Sequence, residues 1–527
     1  MSTSSFASAL SRRSLIATGT GALVGAAALG LVTGASAAHA QEVTDWTHEC
    51  DVLVIGGGAA GLMAAATAAE EGASVILVEK MGACGGDTAT SGQTIQGCWP
   101  ARAKRDYGVD DSLESYLNDW KNSHPVTTKG LAGEPLPDAF PFTERQMSYM
   151  VEVYEWLEKA GVEWATNERS PQAIYPQPCW DTVWPRSWSA TNPLIPTMEE
   201  KAEELGVQII TQTEVVDLLK NTDGRVIGAL AFDADGAPVT LRAARAVILA
   251  SGSFAGNRYM LKKYLHGTVH SVCPLSGGFG TTGDAMNMVL KVGGYLENMD
   301  MGSHWIPLEA LTDSMIWFAL ISPFGGPEGQ MARGDLPCVF INYAGKRFMS
   351  ETMGYKWVGK GIAEQDYHEA WVVVDSSLPD VVDTLKNTES NELFLVEAPS
   401  LEELANRMQV PADVMLSEIE TYNSYVDAGE DPDFGRHMEN VPRIENGPFY
   451  AFRLRPRPYT TYGGIATDVD SRVLSADTNE PIPGLYAAGT CTTCYCEAEG
   501  LYYIGGIAQG TAFGRQAGKL AAAEVAC

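Results

Sequence analysis

A glycine-rich turn between two short apolar runs constrains the fold of this chain more than any other stretch. Residues 50–55 predict a buried β-strand, residues 62–70 an alanine-rich helix, and residues 73–78 a second strand. The segment Gly-Gly-Gly-Ala-Ala-Gly at 56–61 joins the first strand to the helix. This order is typical of doubly wound α/β sheets, which bind nucleotides at the carboxyl ends of their strands.

The glycines and the acid that follows them match a dinucleotide-binding unit. Gly56 permits the tight turn, Gly58 lets the backbone approach a pyrophosphate, and Gly61 lets helix and strand pack closely. The pyrophosphate is expected at the helix N-terminus beside Ala60, where unpaired N–H groups and the helix dipole favour negative charge. Glu79 ends the second strand and is placed to accept hydrogen bonds from ribose hydroxyls. A glycine-rich turn in an ordinary α/β protein is the alternative.

Later segments predict the rest of the nucleotide-binding sheet. Residues 207–215 predict a strand, 224–232 and 238–241 a hairpin, and 246–254 a separate buried strand. Residues 484–490 predict a strand that ends under a flavin ring, followed by a glycine pair that opens the last helix. That helix would direct its N-terminal dipole at the electron-rich edge of a reduced flavin.

Small-residue loops predict how the flavin and its phosphates are held. The loop that follows Glu79 contains no His, so a covalent His–flavin bond is not expected. Besides the motif, the residues predicted to bind the cofactor are Lys80, Gly86, Asp87, Thr88, Ser91, Gly92, Val215, Ser251, Gly252, Asp284, Gly489, Thr490, Gly506 and Ile507.

Charge and cysteine content exclude several classes of protein. The chain has 527 residues, of which 36 are basic and 66 acidic, giving a formal net charge of −30. Nucleic acid and anionic membrane surfaces repel such a chain, so neither is expected as a partner. Cys491, Cys494 and Cys496 are the tightest cysteine group, and they lack the following His or second C-x-x-C that haem or zinc would need. A local disulfide or simple packing remains for them, and no metal site is predicted.

Residues 1–40 predict a signal peptide outside the fold. Arg12 and Arg13 form a twin-arginine pattern, an Ala- and Gly-rich stretch follows, and Ala38-His39-Ala40 is an A-x-A cleavage site. A membrane anchor is the alternative for this stretch. No other segment has about 18 unbroken apolar residues. We therefore expect twin-arginine export to the periplasm, the cell envelope or the medium, with no integral membrane segment after processing.

Together these segments resemble the FAD-binding family that includes fumarate reductases, soluble flavocytochromes c, urocanate reductases and 3-ketosteroid dehydrogenases. The resemblance also covers Arg333-Gly334 and the segment from Val339 to Glu351, which looks like the family's R-G … V-N-x-x-G-x-R-F-x-x-E signature. It implies non-covalent FAD and an α/β fold in which a Rossmann-like FAD-binding domain is interrupted by an α+β capping domain. The implied ranges are 41–301 and 459–527 for the FAD-binding domain and 302–458 for the cap.

Departures from the fumarate reductase pattern carry the functional prediction. Tyr355 and Tyr503 stand where that pattern has a proton-donating Arg and a carboxylate-binding Arg, and Gln330 stands where it has a relay acid. Tyrosine cannot give the bidentate, permanently charged grip that Arg gives a carboxylate, so fumarate and succinate are poor candidates. Both tyrosines instead resemble those of 3-ketosteroid dehydrogenases, where one acts on a substrate proton and the other binds the ketone oxygen.

The predicted activity is flavin-dependent reduction of a C=C bond conjugated to a carbonyl. Hydride would pass from flavin N5 to the β-carbon, Tyr503 and a backbone N–H near Gly506 would stabilise the enolate, and Tyr355 would deliver a proton to the α-carbon. Packing around the flavin is the alternative role for both tyrosines. Arg333, His304 and Tyr462 complete the set of predicted catalytic residues.

Two other activities remain open from the sequence. One is the reverse desaturation of the ketosteroid dehydrogenase type, and the other is electron transfer by a flavoprotein without turnover. The expected partners are a small neutral or aromatic unsaturated carbonyl substrate and, as the resemblance implies for exported members, a separate electron donor linked to a cytochrome or a quinone.

Overall fold

The computed structural model describes residues 45–91, 93–108, 110–123, 140–164, 187–265, 280–300, 303–309, 338–351, 355–377, 379–388, 390–436, 438, 441–493 and 506–527. The predicted signal peptide, Gly92, Arg333 and Tyr503 lie outside these residues. No helix within them is long and apolar enough to cross a membrane.

The strands follow one another in this order: β1 (His48–Ile55), β2 (Val75–Val78), β3 (Thr94–Gln96), β4 (Ser187–Ser189), β5 (Gln208–Ile210), β6 (Glu214–Lys220), β7 (Val226–Phe232), β8 (Pro238–Leu249), β9 (Leu296–Glu297), β10 (Ser303–Glu309), β11 (Cys338–Ile341), β12 (Ala370–Val374), β13 (Val396–Ala398), β14 (Phe449–Thr461), β15 (Gly464–Ile465), β16 (Arg472–Leu474) and β17 (Pro481–Ala487).

The helices are α1 (Ala59–Glu70), α2 (Gly86–Ala89), α3 (Pro100–Tyr107), α4 (Leu113–Ser123), α5 (Phe140–Lys159), α6 (Leu194–Glu204), α7 (Arg258–Tyr264), α8 (Asp284–Lys291), α9 (Tyr355–Ala363), α10 (Pro379–Asn387), α11 (Asn391–Phe394), α12 (Leu401–Met408), α13 (Ala412–Ala428) and α14 (Gly506–Ala523).

A mixed sheet forms the centre of the larger α/β unit. Its order in the described residues is β16-β17-β8-β1-β2-β5, and the β6–β7 hairpin joins the edge of β8. The pairs from β17 to β5 are parallel, whereas β16 is antiparallel. Helices α1 and α14 pack together on one side of this sheet, and the hairpin and α8 lie on the other. The predicted Rossmann-like α/β fold is confirmed.

Two predicted strand boundaries are wrong. Residues 238–249 form one continuous strand rather than two, because β8 pairs with β7 and β1 along the intervening stretch. Arg242 and Arg245 in that stretch are compatible with a strand because they form ion pairs with Glu49 (3.0 Å) and Asp51 (3.2 Å) on β1. Conversely, the strand predicted at 207–215 is broken at Gln212, whose φ of 53° lies in the left-handed region.

A second sheet is built from residues in and beside the predicted cap. Its order is β10-β14-β12-β11, with β13 paired to β14, and its pairs are antiparallel. Alternate residues of β12 and β14 contribute to two apolar clusters: α9 and α10 contribute to one, and α12 and α13 to the other. The sheet runs from Ser303 to Thr461, so it extends three residues past the predicted boundary at 458. That boundary stays a prediction.

Candidate flavin and substrate site

The glycine turn is fixed by the protein's own backbone at two of its three motif positions. Gly56 has φ +113°, and a side chain there would place Cβ 2.4 Å from the carbonyl oxygen of Ala250. A Cβ on Gly61 would lie 1.8 Å from the Gly56 carbonyl oxygen. Since real Cβ atoms do not approach so closely, β1, β8 and the start of α1 can meet only if both residues are glycine.

Gly58 differs, because nothing in the described protein requires it to be glycine. Its φ is −76°, which any residue adopts, and a Cβ there would meet only the Gly85 carbonyl oxygen, at 3.9 Å. Gly58 caps α1 without a side-chain hydrogen bond. The open space therefore lies where unpaired N–H groups and a helix dipole favour an anion, and it fits the pyrophosphate of a dinucleotide.

Glu79 ties the turn to the end of β2. One carboxylate oxygen accepts a hydrogen bond from the Gly57 N–H (2.7 Å) and the other accepts from the Met81 N–H (2.8 Å). The residue is 9% exposed. An ionised carboxylate offers about four acceptor positions, so two remain for the predicted ribose hydroxyls. Val215 is buried in β6, just after Thr213, whose N–H donates to the Glu79 carbonyl oxygen.

The loop predicted to hold the phosphates lies against the turn. The Gly85 N–H donates to the Gly57 carbonyl oxygen (2.9 Å), and Gly86 begins the short helix α2. Thr88 in this helix is buried, and the Ser91 hydroxyl donates to the Thr88 carbonyl oxygen (2.8 Å). Asp87 lies in the first turn of α2.

Lys80 and Asp284, both predicted to bind the cofactor, contact each other. Lys80 Nζ lies 2.5 Å from an Asp284 carboxylate oxygen and donates to the Thr282 hydroxyl at 2.5 Å. Asp284 begins α8, and the Ala285 N–H in the same turn donates to the Ser251 hydroxyl (3.4 Å). The pair thus links the end of β2 to the end of β8 across the carboxyl edge of the sheet.

Close glycine contacts continue from the turn toward the last helix. Gly489 has φ +80°, and a Cβ there would lie 2.8 Å from the Ala60 Cβ, while Gly510 of α14 also approaches Ala60. Gly252, with φ +77°, packs near Thr281 and the Thr490 hydroxyl. Gly506 and Ile507 begin α14 as predicted. The predicted cofactor residues around Gly58 and Gly489 therefore share one edge of the sheet.

Beside this edge of the sheet, the segment that contains Gly463 and Gly464 crosses the segments that contain Met299 and Thr492. Gly463 and Gly464 pack against Met299 and Thr492 so closely that a Cβ on either would lie within 2.5 Å of backbone atoms. The Ile465 N–H donates to the Cys491 carbonyl oxygen (2.8 Å). We call this region the distal end.

Neutral polar side chains meet at the distal end. Asn298 donates its amide to the Thr493 hydroxyl (2.9 Å), the Phe254 N–H donates to the Thr461 hydroxyl (3.3 Å), and Tyr462 is 8% exposed. A small pocket lies beside them, and its lining side chains are uncharged: Phe142, Gln146, Thr467, Ser471, Ala487, Thr492, Thr493, Gln509 and Phe513. Asn298, Thr493 and Gln509 were not predicted from the sequence, although the glycine pair at 463–464 marks the backbone crossing beside them.

The predicted catalytic residues are only partly described. Tyr355 is the first residue of α9 and His304 lies in β10, but both side chains lie outside the described part of the structure. Tyr462 directly precedes the glycine pair at the distal end. Helix α9 packs against β10 and β14, and β14 ends at Thr461, one residue before Tyr462. Helix α9 and the distal end therefore both adjoin the smaller sheet.

Two thiols near the site, one buried and one half-buried, have raised pKa values. Burial raises the pKa of Cys491 to about 12, and its Sγ donates to the Ala488 carbonyl oxygen (3.2 Å). Burial and the nearby carboxylates of Glu199 and Glu79 raise the pKa of Cys84 to about 12. Each thiol stays protonated at neutral pH, so neither is a nucleophile. Cys491 is a free thiol, which agrees with simple packing, whereas Cys494 and Cys496 lie outside the described residues.

Sequence comparison identifies the family. Residues 51–508 match the FAD binding domain family. The chain belongs to this family. Its cofactor is FAD, and the open cradle at Gly58 fits that cofactor.

Relatives indicate the type of reaction. A vinyl phenol reductase from Lactiplantibacillus plantarum is 27% identical, over 83% of this chain and 89% of its own. An NADH:acrylate oxidoreductase from Vibrio harveyi is 28% identical over 86% of this chain, which spans only 49% of that relative's length. The crystal structure of a 3-ketosteroid-Δ4-(5α)-dehydrogenase from Rhodococcus jostii RHA1 with 4-androstene-3,17-dione superposes with a TM-score of 0.71 and 26% identity, covering 92% of this chain and 99% of that one. The protein is an FAD-dependent oxidoreductase acting on CH–CH groups.

Proposed function

We propose that this enzyme reduces a C=C bond conjugated to a carbonyl in an uncharged substrate. The carrying observation is the neutral set of hydrogen-bonding groups at the distal end, namely Asn298, Thr461, Tyr462, Thr493 and Gln509. Such groups hold a carbonyl oxygen well but lack the charge that binds a dicarboxylate. Vinyl phenol and 4-androstene-3,17-dione, which occur in the names of two similar proteins, are also uncharged molecules.

Two tyrosines are the proposed acid and oxyanion donor. The bound flavin supplies hydride chemistry at its N5 atom. Tyr503 and a backbone N–H near Gly506 hold the carbonyl oxygen, and each such donor contributes about 3 kcal/mol as charge develops. Tyr355 gives a proton to the α-carbon, a role that suits tyrosine because an unperturbed phenol, with a pKa of about 10, carries its proton at neutral pH. Tyr462 is the alternative candidate for the proton donor, because it lies beside Gly463 at the distal end.

The reverse desaturation is a second candidate. The ketosteroid dehydrogenase structure matches over nearly its whole length, and the same residues would then take a proton from the α-carbon. A tyrosine acts as a base only where its pKa is lowered, and this requirement favours reduction for the present chain. Anaerobic mixing of oxidised enzyme with a saturated ketone tests the reverse direction by flavin bleaching.

Substrate-dependent reoxidation of the reduced enzyme tests the proposed reduction. We expect rapid anaerobic reoxidation with a neutral enone, slower reoxidation with acrylate, and none above buffer with fumarate. Fumarate turnover at a typical enzyme rate of about 10 per second would contradict the proposal. No reoxidation by any alkene would leave a flavoprotein that only transfers electrons.

Single hydroxyl deletions test the two roles. Tyr355→Phe is expected to slow reoxidation by about 100- to 10,000-fold with little change in KM. Tyr503→Phe is expected to slow it by about 100-fold and to raise KM, because the ground-state ketone already accepts that hydrogen bond. Tyr295→Phe is the matched control, since this hydroxyl donates to Asn479 (2.7 Å) at the surface. Loss of FAD from either site variant would point to packing instead.

We also propose that the chain is exported with FAD bound and receives electrons from a separate cytochrome- or quinone-linked donor. Replacing Arg12 and Arg13 together by Lys should leave FAD-loaded precursor in the cytoplasm. Unchanged delivery to the envelope in that variant would contradict twin-arginine export.

A further inference from the structure

Four charged side chains lie buried together beside the smaller sheet. Arg347 donates through Nε and Nη2 to the two carboxylate oxygens of Glu351 (2.8 Å each) and through Nη2 to Asp431 (2.7 Å). Arg436 donates through Nη1 to Glu351 (3.1 Å). Their side chains are 3%, 0%, 0% and 0% exposed for Arg347, Glu351, Asp431 and Arg436 respectively. We call these four residues the buried charge cluster.

The cluster joins β11 and the adjoining stretch at 347–351 to a loop that is distant in sequence, at 431–436. Glu351 accepts the Phe340 N–H (3.3 Å), and Arg436 Nη1 donates to the Cys338 carbonyl oxygen (2.8 Å), so both contact β11. Asp431 accepts the Arg436 N–H (3.2 Å), which closes the loop that follows α13. The segment ending at Glu351 is therefore held against β11 on one side and against that loop on the other.

Stability alone does not explain such an arrangement. Two arginines and two carboxylates cancel in charge, but removing four charges from water costs much of what their attraction returns. Apolar residues of similar size would often stabilise a core as well. The ions add a defined geometry, because a bidentate guanidinium–carboxylate pair fixes both the distance between the two groups and their common plane.

What the cluster directs is the start of α9. Glu351 lies four residues before Tyr355, the first residue of that helix. Met349, from the same segment, also contacts the helix itself: a Cβ on Gly361 would lie 2.6 Å from the Met349 sulfur. Helix α9 packs on β10 and β14, and β14 leads directly into the distal end. A tilt of the segment at 347–351 would thus move residue 355 relative to the substrate.

We propose that the buried charge cluster is a positioning device that sets where α9 begins and so holds Tyr355 at the reacting carbon. This inference rests on the proposed function, in which Tyr355 is the acid. Its members contact one another and β11, and they act through residue 355.

Glu351→Gln tests the proposal while keeping shape and volume. The limiting rate of substrate-driven flavin reoxidation should fall by about 10- to 100-fold, the loss typical of a misplaced catalytic group, while KM and FAD content stay unchanged. Asp375→Asn is the matched control. Asp375 is fully buried just after β12 and accepts three backbone N–H groups, from Ser377, Glu445 and Asn446, none of which lies in α9, so its loss should destabilise the fold without removing a hydrogen bond to α9. Asp431→Asn replaces Glu351→Gln if that variant fails to fold.

A double variant separates positioning from general damage. In the Tyr355→Phe background, Glu351→Gln should cause no further loss of rate, because the group that it positions is already gone. If the rate losses of Glu351→Gln and Tyr355→Phe multiply in the double variant, or if Asp375→Asn loses as much rate as Glu351→Gln, the proposal is overturned while the proposed function stays intact. A wild-type rate in Tyr355→Phe alone would overturn both, since there would be no acid to position.

Discussion

The turn at 56–61 and the buried charge cluster both fix the position of a segment beside the site, but they do so through different interactions. The turn depends on close backbone packing: it has six consecutive residues of Gly and Ala, in which Gly56 and Gly61 leave no room for a side chain. The cluster depends on charged side chains, and its members come from positions 347 to 436. One is contiguous in the chain, and the other exists only once the chain has folded.

This difference decides how each region can fail. The close backbone contacts at Gly56 and Gly61 are steric, so a single methyl group at either position can destroy the turn. The cluster depends on every charge being present, because a buried ion without its partner is costly. Adding a methyl group is therefore the test for the turn, and lowering the pH is the test for the cluster.

The largest effect is expected for Gly61→Ala. Its Cβ would overlap the Gly56 carbonyl oxygen at 1.8 Å, so either α1 or β1 must shift. We expect a loss of about 3 kcal/mol or more in the free energy of unfolding, with little soluble holoprotein. Gly82→Ala is the control, because a Cβ on Gly82 would meet no described atom within 4 Å. Normal thermal stability in Gly61→Ala would show that the backbone of the turn can yield to a methyl group.

Gly58→Ala should give a smaller and more selective defect. The protein has room for this methyl group, but the pyrophosphate does not, so apoprotein stability should stay near wild type. FAD affinity should fall by about 10- to 100-fold, the loss expected for charge-assisted hydrogen bonds of about 1.5–3 kcal/mol. Fluorescence titration of apoprotein with FAD measures this. Unchanged affinity would place the phosphates elsewhere.

Acid should weaken the cluster. Burial raises the pKa of Asp431, but the hydrogen bonds and charge of Arg347 outweigh it, so the folded pKa lies below the ordinary value. The stabilisation from ionised Asp431 is therefore present above the unfolded pKa of about 3.9 and is lost as pH falls through the folded value. Asp431→Asn should be less stable than wild type at pH 7, and the gap should narrow below about pH 4. A constant gap in urea unfolding across pH would contradict this.

The smallest effect is expected at an exposed arginine in the same half of the chain. Arg443 contacts Asp427 and, at 2.8 Å, Glu445, but all three side chains are more than a third exposed. Exposed ion pairs contribute little because water and salt screen them. Arg443→Met should therefore shift Tm by no more than about 2 °C. A shift as large as that of Asp431→Asn would mean that burial does not set the strength of these contacts.

The sequence by itself determined the nucleotide-binding half of the protein. Gly56, Gly58, Gly61 and Glu79 could be assigned roles because a βαβ turn is local, and its steric demands are written in consecutive residues. The parallel sheet, the helix beginning at Gly506 and FAD followed from the same motif and from the family resemblance. The long strand β8 could not be read in this way, because Arg242 and Arg245 suit a strand only when Glu49 and Asp51 lie opposite.

Only the tertiary structure decided which side chains meet across long separations. Lys80 was predicted to bind the cofactor, and its contact with Asp284 depends on how β2 and α8 approach the same sheet edge. Asn298 contacts Thr493 only because the end of β9 and the segment after β17 approach each other. Arg347 and Glu351 matched a signature, but their partners Asp431 and Arg436 could not be inferred. Charge pairing over such distances has no period in the sequence, since the packing of the sheet alone brings the partners together.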